Sequence, residues 1–261
     1  MTAFTSPLAA DPGHVSVDTA GGVATVRFSH PKGNSLPAAL LGRLAAEVGR
    51  LGADDAARVI VLRSEGLGPF CAGASFDELR GIRTAEAGKE FFMGFARLIL
   101  AMRSCPKFII ARVHGRVVGG GVGLLAASDY VVAQDDASVR LSELAVGIGP
   151  FVVGPVIERK IGLAAFQALA IDATQWRDAQ WAANAGLFAR VATNVEELDA
   201  VVDSLAARLA HSNPAAMAQM KRVFWEGTEQ WDTQLEERAA MSGTLVLSDF
   251  ARQAIAAFAA R

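Results

Sequence analysis

The sequence predicts an α/β protein with two parts: an α/β core over residues 1–193 and a helical region over residues 194–261. Two observations carry this. Short β-branched runs alternate with amphipathic stretches as far as about residue 145, the order expected of βα units rather than of a sandwich. From Asn194 onward the strand signals vanish and apolar residues keep helical spacing. The 261 residues are 52% hydrophobic and 20% charged, too apolar for a disordered chain.

Val15–Asp18 and Val23–Phe28 alternate around Ala20-Gly21-Gly22, which predicts a hairpin. His30–Asn34 is a loop, and Asn34 or Ser35 is expected to cap a helix whose apolar face is Leu40, Leu41, Leu44 and Val48. Val59–Arg63 reads as a buried strand, and a helix starts near Ser75. Phe91–Met102 predicts a long helix stopped by Cys105-Pro106, and Phe108–Val113 a further strand. Val118–Ala127 is apolar all round, which predicts a deeply buried helix. Tyr130–Ala133 and Ser138–Leu141 read as strands across the Gln134–Asp136 turn. Asn194 with Glu197 forms a capping-box pattern, Asn213-Pro214 opens a helix with Met217, Met220 and Phe224 on one face, and Ser248-Asp249 opens the last, carrying Phe250, Ile255 and Phe258.

The 25 Lys+Arg against 27 Asp+Glu give a net charge of -2, and no basic run supplies the clustered charge that nucleic acid requires. No apolar stretch reaches a membrane span; the longest, Ala145–Ile157, contains Pro150 and Pro155. The first residues, Met1–His14, lack the basic start of a secretory leader. Cys71 and Cys105 fit neither a disulfide framework nor a metal knuckle, so a reducing, cytoplasmic location is expected. His14, His30, His114 and His211 have no metal-ligand spacing and are expected to be structural.

Two segments look chemically loaded: Phe70–Ser75, where small residues lead into a helix, and Val118–Gly123, where Gly119-Gly120-Gly121 open one. Helix starts offer unpaired N–H groups and a positive dipole end, and glycines remove the Cβ atoms that would hold a ligand away. Two such starts facing each other could hold a developing oxyanion; the alternative is that both merely let helices approach strands closely.

Here the sequence resembles the enoyl-CoA hydratase/isomerase (crotonase) family. The resemblance rests on KGNSL at Lys32–Leu36, FCAGASFDEL at Phe70–Leu79, PKFIIARVHGRVVGGGVGLLAASD at Pro106–Asp129, LSELAVG at Leu141–Gly147 and AQWAANAGLFARV at Ala179–Val191, in that order. It implies a spiral of ββα units with a helical oligomerisation region, trimeric or hexameric. It implies acyl-CoA thioester substrates, with coenzyme A as part of the substrate and no other cofactor. It implies oxyanion donation by the N–H groups of Ala74 and Gly120, with Ala72, Gly73 and Gly119 lining the same site and Lys32 near the CoA loop.

The family's hydratases carry two glutamates. The position of the first is occupied here by Gly123, while the second is present as Glu143. A positioned acid or base contributes about 10²–10⁴-fold, so losing one is a large deficit for hydration. Moving a double bond needs only one base, and Glu143 suffices if burial raises its pKa. The expectation is therefore enoyl-CoA isomerisation, with hydration through another acid as the alternative and Asp77 and Glu78 as candidates for that acid. Phe151 and Val152 are bulky where the family is usually small, which predicts a reshaped acyl pocket, and Asp77 stands where a basic CoA contact is usual. Two other classes remain: a thioester-binding oligomer that no longer catalyses, and a nicotinamide oxidoreductase read from Gly121-Val122-Gly123-Leu124-Leu125-Ala126. Cys71 has no activating base near it in sequence and is expected to be a small buried residue.

Overall fold

The computed structural model describes residues 11–259. The expectation of no leader at the N-terminus therefore rests on residues outside those described, apart from the last few. The chain opens with an antiparallel hairpin, β1 (His14–Ala20) and β2 (Val23–Ser29), followed by α1 (Ala38–Ala53) and β3 (Val59–Ser64). Helices α2 (Phe76–Gly81) and α3 (Ala85–Ser104) lead to β4 (Ile109–Val113), β5 (Arg116–Val118) and α4 (Gly120–Ala127). Next come β6 (Tyr130–Gln134), β7 (Ser138–Arg140), a 3₁₀ turn at Leu144–Val146 and α5 (Gly154–Ile171). Short β8 (Arg177–Asp178), α6 (Ala179–Asn184) and β9 (Arg190–Ala192) complete the mixed part. Four helices follow: α7 (Val195–Ala210), α8 (Pro214–Phe224), α9 (Trp231–Leu245) and α10 (Asp249–Ala259).

The larger sheet has the order β1-β2-β3-β4-β6-β9 and is parallel from β2 onward; β5-β7-β8 form a smaller one. A parallel strand buried on both faces needs apolar residues at every position, and β3 shows why. Ile60 and Leu62 enter the core shared with α1 and α3, while Val59 and Val61 pack with Leu198 and Val202 of α7. Each such side chain contributes about 1.5–3 kcal/mol on burial. α4 is buried at every residue, as its unbroken apolar composition requires.

Several local expectations need correction. Val118 ends β5, so the buried helix begins two residues later. The long helix before β4 starts at Ala85, capped by Thr84, whose side chain accepts the Ala87 N–H. Neither Asn34 nor Ser35 caps α1: the residue before it is Pro37, which has no capping side chain, and Asn34 has another task described below. The Ala145–Ile157 stretch is divided between the end of the 3₁₀ turn, a loop and the first turn of α5, where Pro155 sits at a position whose N–H would be unpaired anyway. The Met217/Met220/Phe224 stripe divides, with Met217 buried and the other two half in solvent. The Asn194 cap holds, accepting the Glu197 N–H at 2.8 Å, while Glu197 reaches back to Thr193. Among the last helix's residues Ile255 is buried and Phe250 exposed; the Phe258 side chain lies outside the described residues.

α9 lies along α3 at a crossing made of two glycines. A Cβ on Gly88 would sit 2.7 Å from the Gly243 Cα, so neither helix can carry a side chain there. Gly88→Val is expected to cost about 1–3 kcal/mol or more by overpacking, read as a lower urea midpoint; an unchanged midpoint would contradict this account of the crossing.

Candidate active site

Three chain segments end side by side. β5 and β7 pair in parallel, with Val118 opposite Arg140, and the Gly119 N–H donates to the Arg140 carbonyl at 2.9 Å. The Phe70–Ala74 segment runs along the other edge of β5: the Val118 N–H donates to the Cys71 carbonyl at 2.9 Å and the Cys71 N–H to Arg116 at 3.3 Å. Beyond these ends lie Ala74, Gly119-Gly120 and Ser142-Glu143, the place where parallel strands commonly present ligand sites.

The Lys32–Leu36 run acts as a staple for the first segment. Asn34 adopts φ 58°, and its side-chain amide donates to the carbonyls of Glu65 and Pro69 at 3.0 and 2.9 Å. The Ala72 N–H then donates to Gly33 at 3.0 Å and the Leu36 N–H to Gly73 at 2.8 Å. Ser75 caps α2 by accepting the Glu78 N–H. No described backbone carbonyl outside regular helices and strands accepts from the N–H of Ala74 or Gly120.

Glu143 ends the β7 segment, and its carbonyl accepts the N–H groups of Val146 and Ile148 at 3.2 and 2.9 Å, which turns the chain sharply. The residue as a whole is half-buried, but its Oε2 is shut off from solvent and has no hydrogen-bond partner among the described residues. Burial without a compensating cation pushes its pKa up to about 7. The carboxyl rests against Gly119, where a Cβ would lie 3.0 Å from Oε1. Gly119 also adopts φ 53°, ψ -121°, a backbone conformation that side-chain-bearing residues rarely adopt. Gly119→Ala is thus expected to displace the carboxyl and lower turnover about 10²-fold; kcat within a factor of two of the parent would remove this constraint.

Ala72, Gly73, Ala74, Gly119, Gly120, Glu143, Phe151 and Val152, the eight candidates besides Lys32, line one cavity. Lys32 does not: it is exposed, and its ammonium pairs with Asp77. Neither candidate second acid reaches the cavity. Asp77 is held by Lys32 at the surface, and Glu78 accepts the Ala38 N–H at 2.8 Å. Glu143 is the one carboxylate lining the cavity among the described residues. At Gly123, a Cβ would fall 2.6 Å from Val153 Cγ1, so Val153 fills the space a side chain there would use. Cys71 is fully buried, and its thiol is pushed up to about 12, which rules it out as a thiolate near neutral pH. His114 lies elsewhere, its pKa lowered by burial and then by Arg112, with Nδ1 3.0 Å from an Arg112 nitrogen.

Sequence reasoning missed the walls. Phe76 and Leu79 of α2, Phe92 and Phe95 of α3, and Ser242 of α9 also line the cavity. No local signal marks them, because their shared surface exists only after α3 and α9 pack.

The mixed fold thus places, at its strand ends, an apolar cavity lined by a single carboxylate among the described residues. A sequence model of the enoyl-CoA hydratase/isomerase family matches residues 18–261, and the chain belongs to that family. It is 28% identical over 238 residues to a Bacillus subtilis protein named "Probable enoyl-CoA hydratase", covering 90% of this chain and 92% of that one. It is 33% identical to the Rattus norvegicus mitochondrial methylglutaconyl-CoA hydratase over 75% of this chain and 63% of that one. The crystal structure of an enoyl-CoA hydratase from Mycobacterium avium superposes with a TM-score of 0.82 at 29% identity, covering 94% of this chain and 96% of that one. The family acts on acyl-CoA thioesters, and this membership displaces the nicotinamide reading of Gly121–Ala126.

Proposed function

We propose that the enzyme moves the double bond of an enoyl-CoA between the 3,4 and 2,3 positions, with Glu143 as its single base. The observation that carries this is that Glu143 is the one carboxylate lining the cavity among the described residues, together with Val153 filling the space beside Gly123. The Glu143 carboxylate takes a proton from C2 of a 3-enoyl thioester, and the electron pair moves through C1 onto the thioester oxygen. The N–H groups of Ala74 and Gly120 stabilise that oxyanion. The carbonyl re-forms, the double bond shifts to C2–C3, and protonated Glu143 returns the proton to C4. A group with a pKa of about 7 suits both halves, since it accepts and releases the proton at neutral pH.

Hydration is the second reading, favoured by the names of relatives such as the Bacillus subtilis protein. It requires a second group to activate or protonate alongside Glu143, and the remaining polar side chains on the cavity are Ser142 and Ser242. Mixing the protein with a 3-enoyl-CoA and following conjugated-thioester absorbance tests the proposal. A rise supports isomerisation, while no rise, with a fall on a 2-enoyl-CoA, favours hydration.

The same reading includes a homo-oligomer, trimer or hexamer, in a reducing cytoplasmic compartment. Leu144, Met241, Leu245 and Phe250, exposed on the 3₁₀ turn, α9 and α10, support association; a monomeric mass in solution would remove it. No described helix is long and apolar enough to cross a membrane.

A further inference from the structure

The cavity is small and its floor is rigid. About 60 Å³ is open to the centres of water-sized groups. Phe92, Phe95, Val152 and Val153 are each 9% exposed or less and are held in the main core. Close-packed core side chains do not retreat without cost. Phe95 in particular lies over Gly120, its ring carbon 2.1 Å from where a Cβ would be.

Phe151 differs from these four. It is half-buried, sits on the turn between the 3₁₀ element and α5, and folds its ring back over Gly149, with Cζ 2.4 Å from where a Cβ would be. Its carbonyl accepts from Arg238 of α9 at 3.5 Å, which ties the turn to the helix without fixing the ring. The residue therefore stands on the cavity wall without being held in the main core.

We propose that this site favours short apolar acyl chains, and that the Phe151 ring sets the limit. The proposal rests on the acyl-CoA reading above. With the thioester carbonyl at Ala74 and Gly120, the acyl chain runs against the walls made by Phe92, Phe95, Val152, Val153 and Phe151. A longer chain must displace a ring; Phe76 packs against the main core, whereas Phe151 belongs neither to that core nor to the residues packed against it. Apolar walls with three polar side chains, Ser142, Glu143 and Ser242, offer no counter-charge for a second carboxylate on the acyl group.

The test is direct binding of butanoyl-, hexanoyl- and octanoyl-CoA by calorimetry to the parent, Phe151→Ala and Phe151→Leu. These saturated thioesters have no double bond to move, so the readout is independent of isomerisation. The parent is expected to bind butanoyl-CoA at least about tenfold more tightly than octanoyl-CoA, and a folded Phe151→Ala to reduce that ratio to about threefold or less. Phe151→Leu falls between them and serves if the alanine variant does not fold. Equal affinities across the parent series would overturn the proposal, as would an unchanged ratio in the folded variants. Failure of the isomerase reading looks different: length discrimination persists while a short 3-enoyl-CoA is not converted. Absence of binding by all three thioesters overturns both.

Discussion

Glu143→Gln is expected to lower 3-enoyl-CoA turnover by about 10³-fold, inside the 10²–10⁴ range for loss of a positioned base. The amide keeps the shape of the carboxyl but cannot take a proton, so a loss confined to kcat points to chemistry rather than binding. The pH profile provides an independent check. The base must be ionised to start the reaction, so the rate of the parent rises with pH through about 7 and levels off above it. Stability should move the other way. The folded pKa lies above the unfolded value of 4.5, so the folded state binds the extra proton between those values and loses stability as pH rises through that window. Above it the buried charge costs about 3 kcal/mol, and Glu143→Gln is expected to be more stable than the parent at pH 8. A variant that is inactive and less stable at pH 8 would indicate a structural role for Glu143 instead.

Lys221→Met should produce the largest loss of stability, about 3–5 kcal/mol, as expected when one partner of a buried pair is removed. Lys221 is 1% exposed on α8, with Nζ 2.8 Å from Asp129 Oδ2 and donating to the Lys107 carbonyl at 2.8 Å. The same Asp129 oxygen accepts the Ile109 N–H at 2.7 Å, so the pair fastens α8 to the start of β4 and to the turn before β6. Removing the ammonium leaves Asp129 as a buried carboxylate with main-chain partners alone at that oxygen. Adding Asp129→Asn should recover a good part of the loss, because the uncompensated charge is then gone. Urea midpoints of the two single variants and the double variant decide this. A midpoint for Lys221→Met equal to the parent's would show that the pair contributes nothing.

What sequence could reveal depended on whether the cause was local. The hairpin and the Asn194 and Asn213 caps follow from residues that touch neighbours within a few positions, while β3 and the buried α4 were legible from their own unbroken apolar composition. The residues of the candidate site were legible because each sits at the end of a short motif. Asn34 was misread because its amide serves the carbonyls of Glu65 and Pro69, about thirty residues away, rather than its own helix. The absence of an acid at Gly123 was visible, but not that Val153 closes the space, since two helices must pack before those atoms meet. The departures at Phe151 and Val152 were visible as bulk, and their place on the cavity wall came with the turn that carries them.

The central claim is that this cavity transfers a proton and does not add water. The most direct measurement places a short 3-enoyl-CoA and the corresponding 2-enoyl-CoA, in separate tubes, with the protein in ¹⁸O-labelled water and follows both by mass spectrometry. The account predicts interconversion of the two isomers without change of mass from ¹⁸O, together with loss of that interconversion in Glu143→Gln. Accumulation of a 3-hydroxyacyl-CoA carrying ¹⁸O would contradict it and require a second catalytic group beside Glu143.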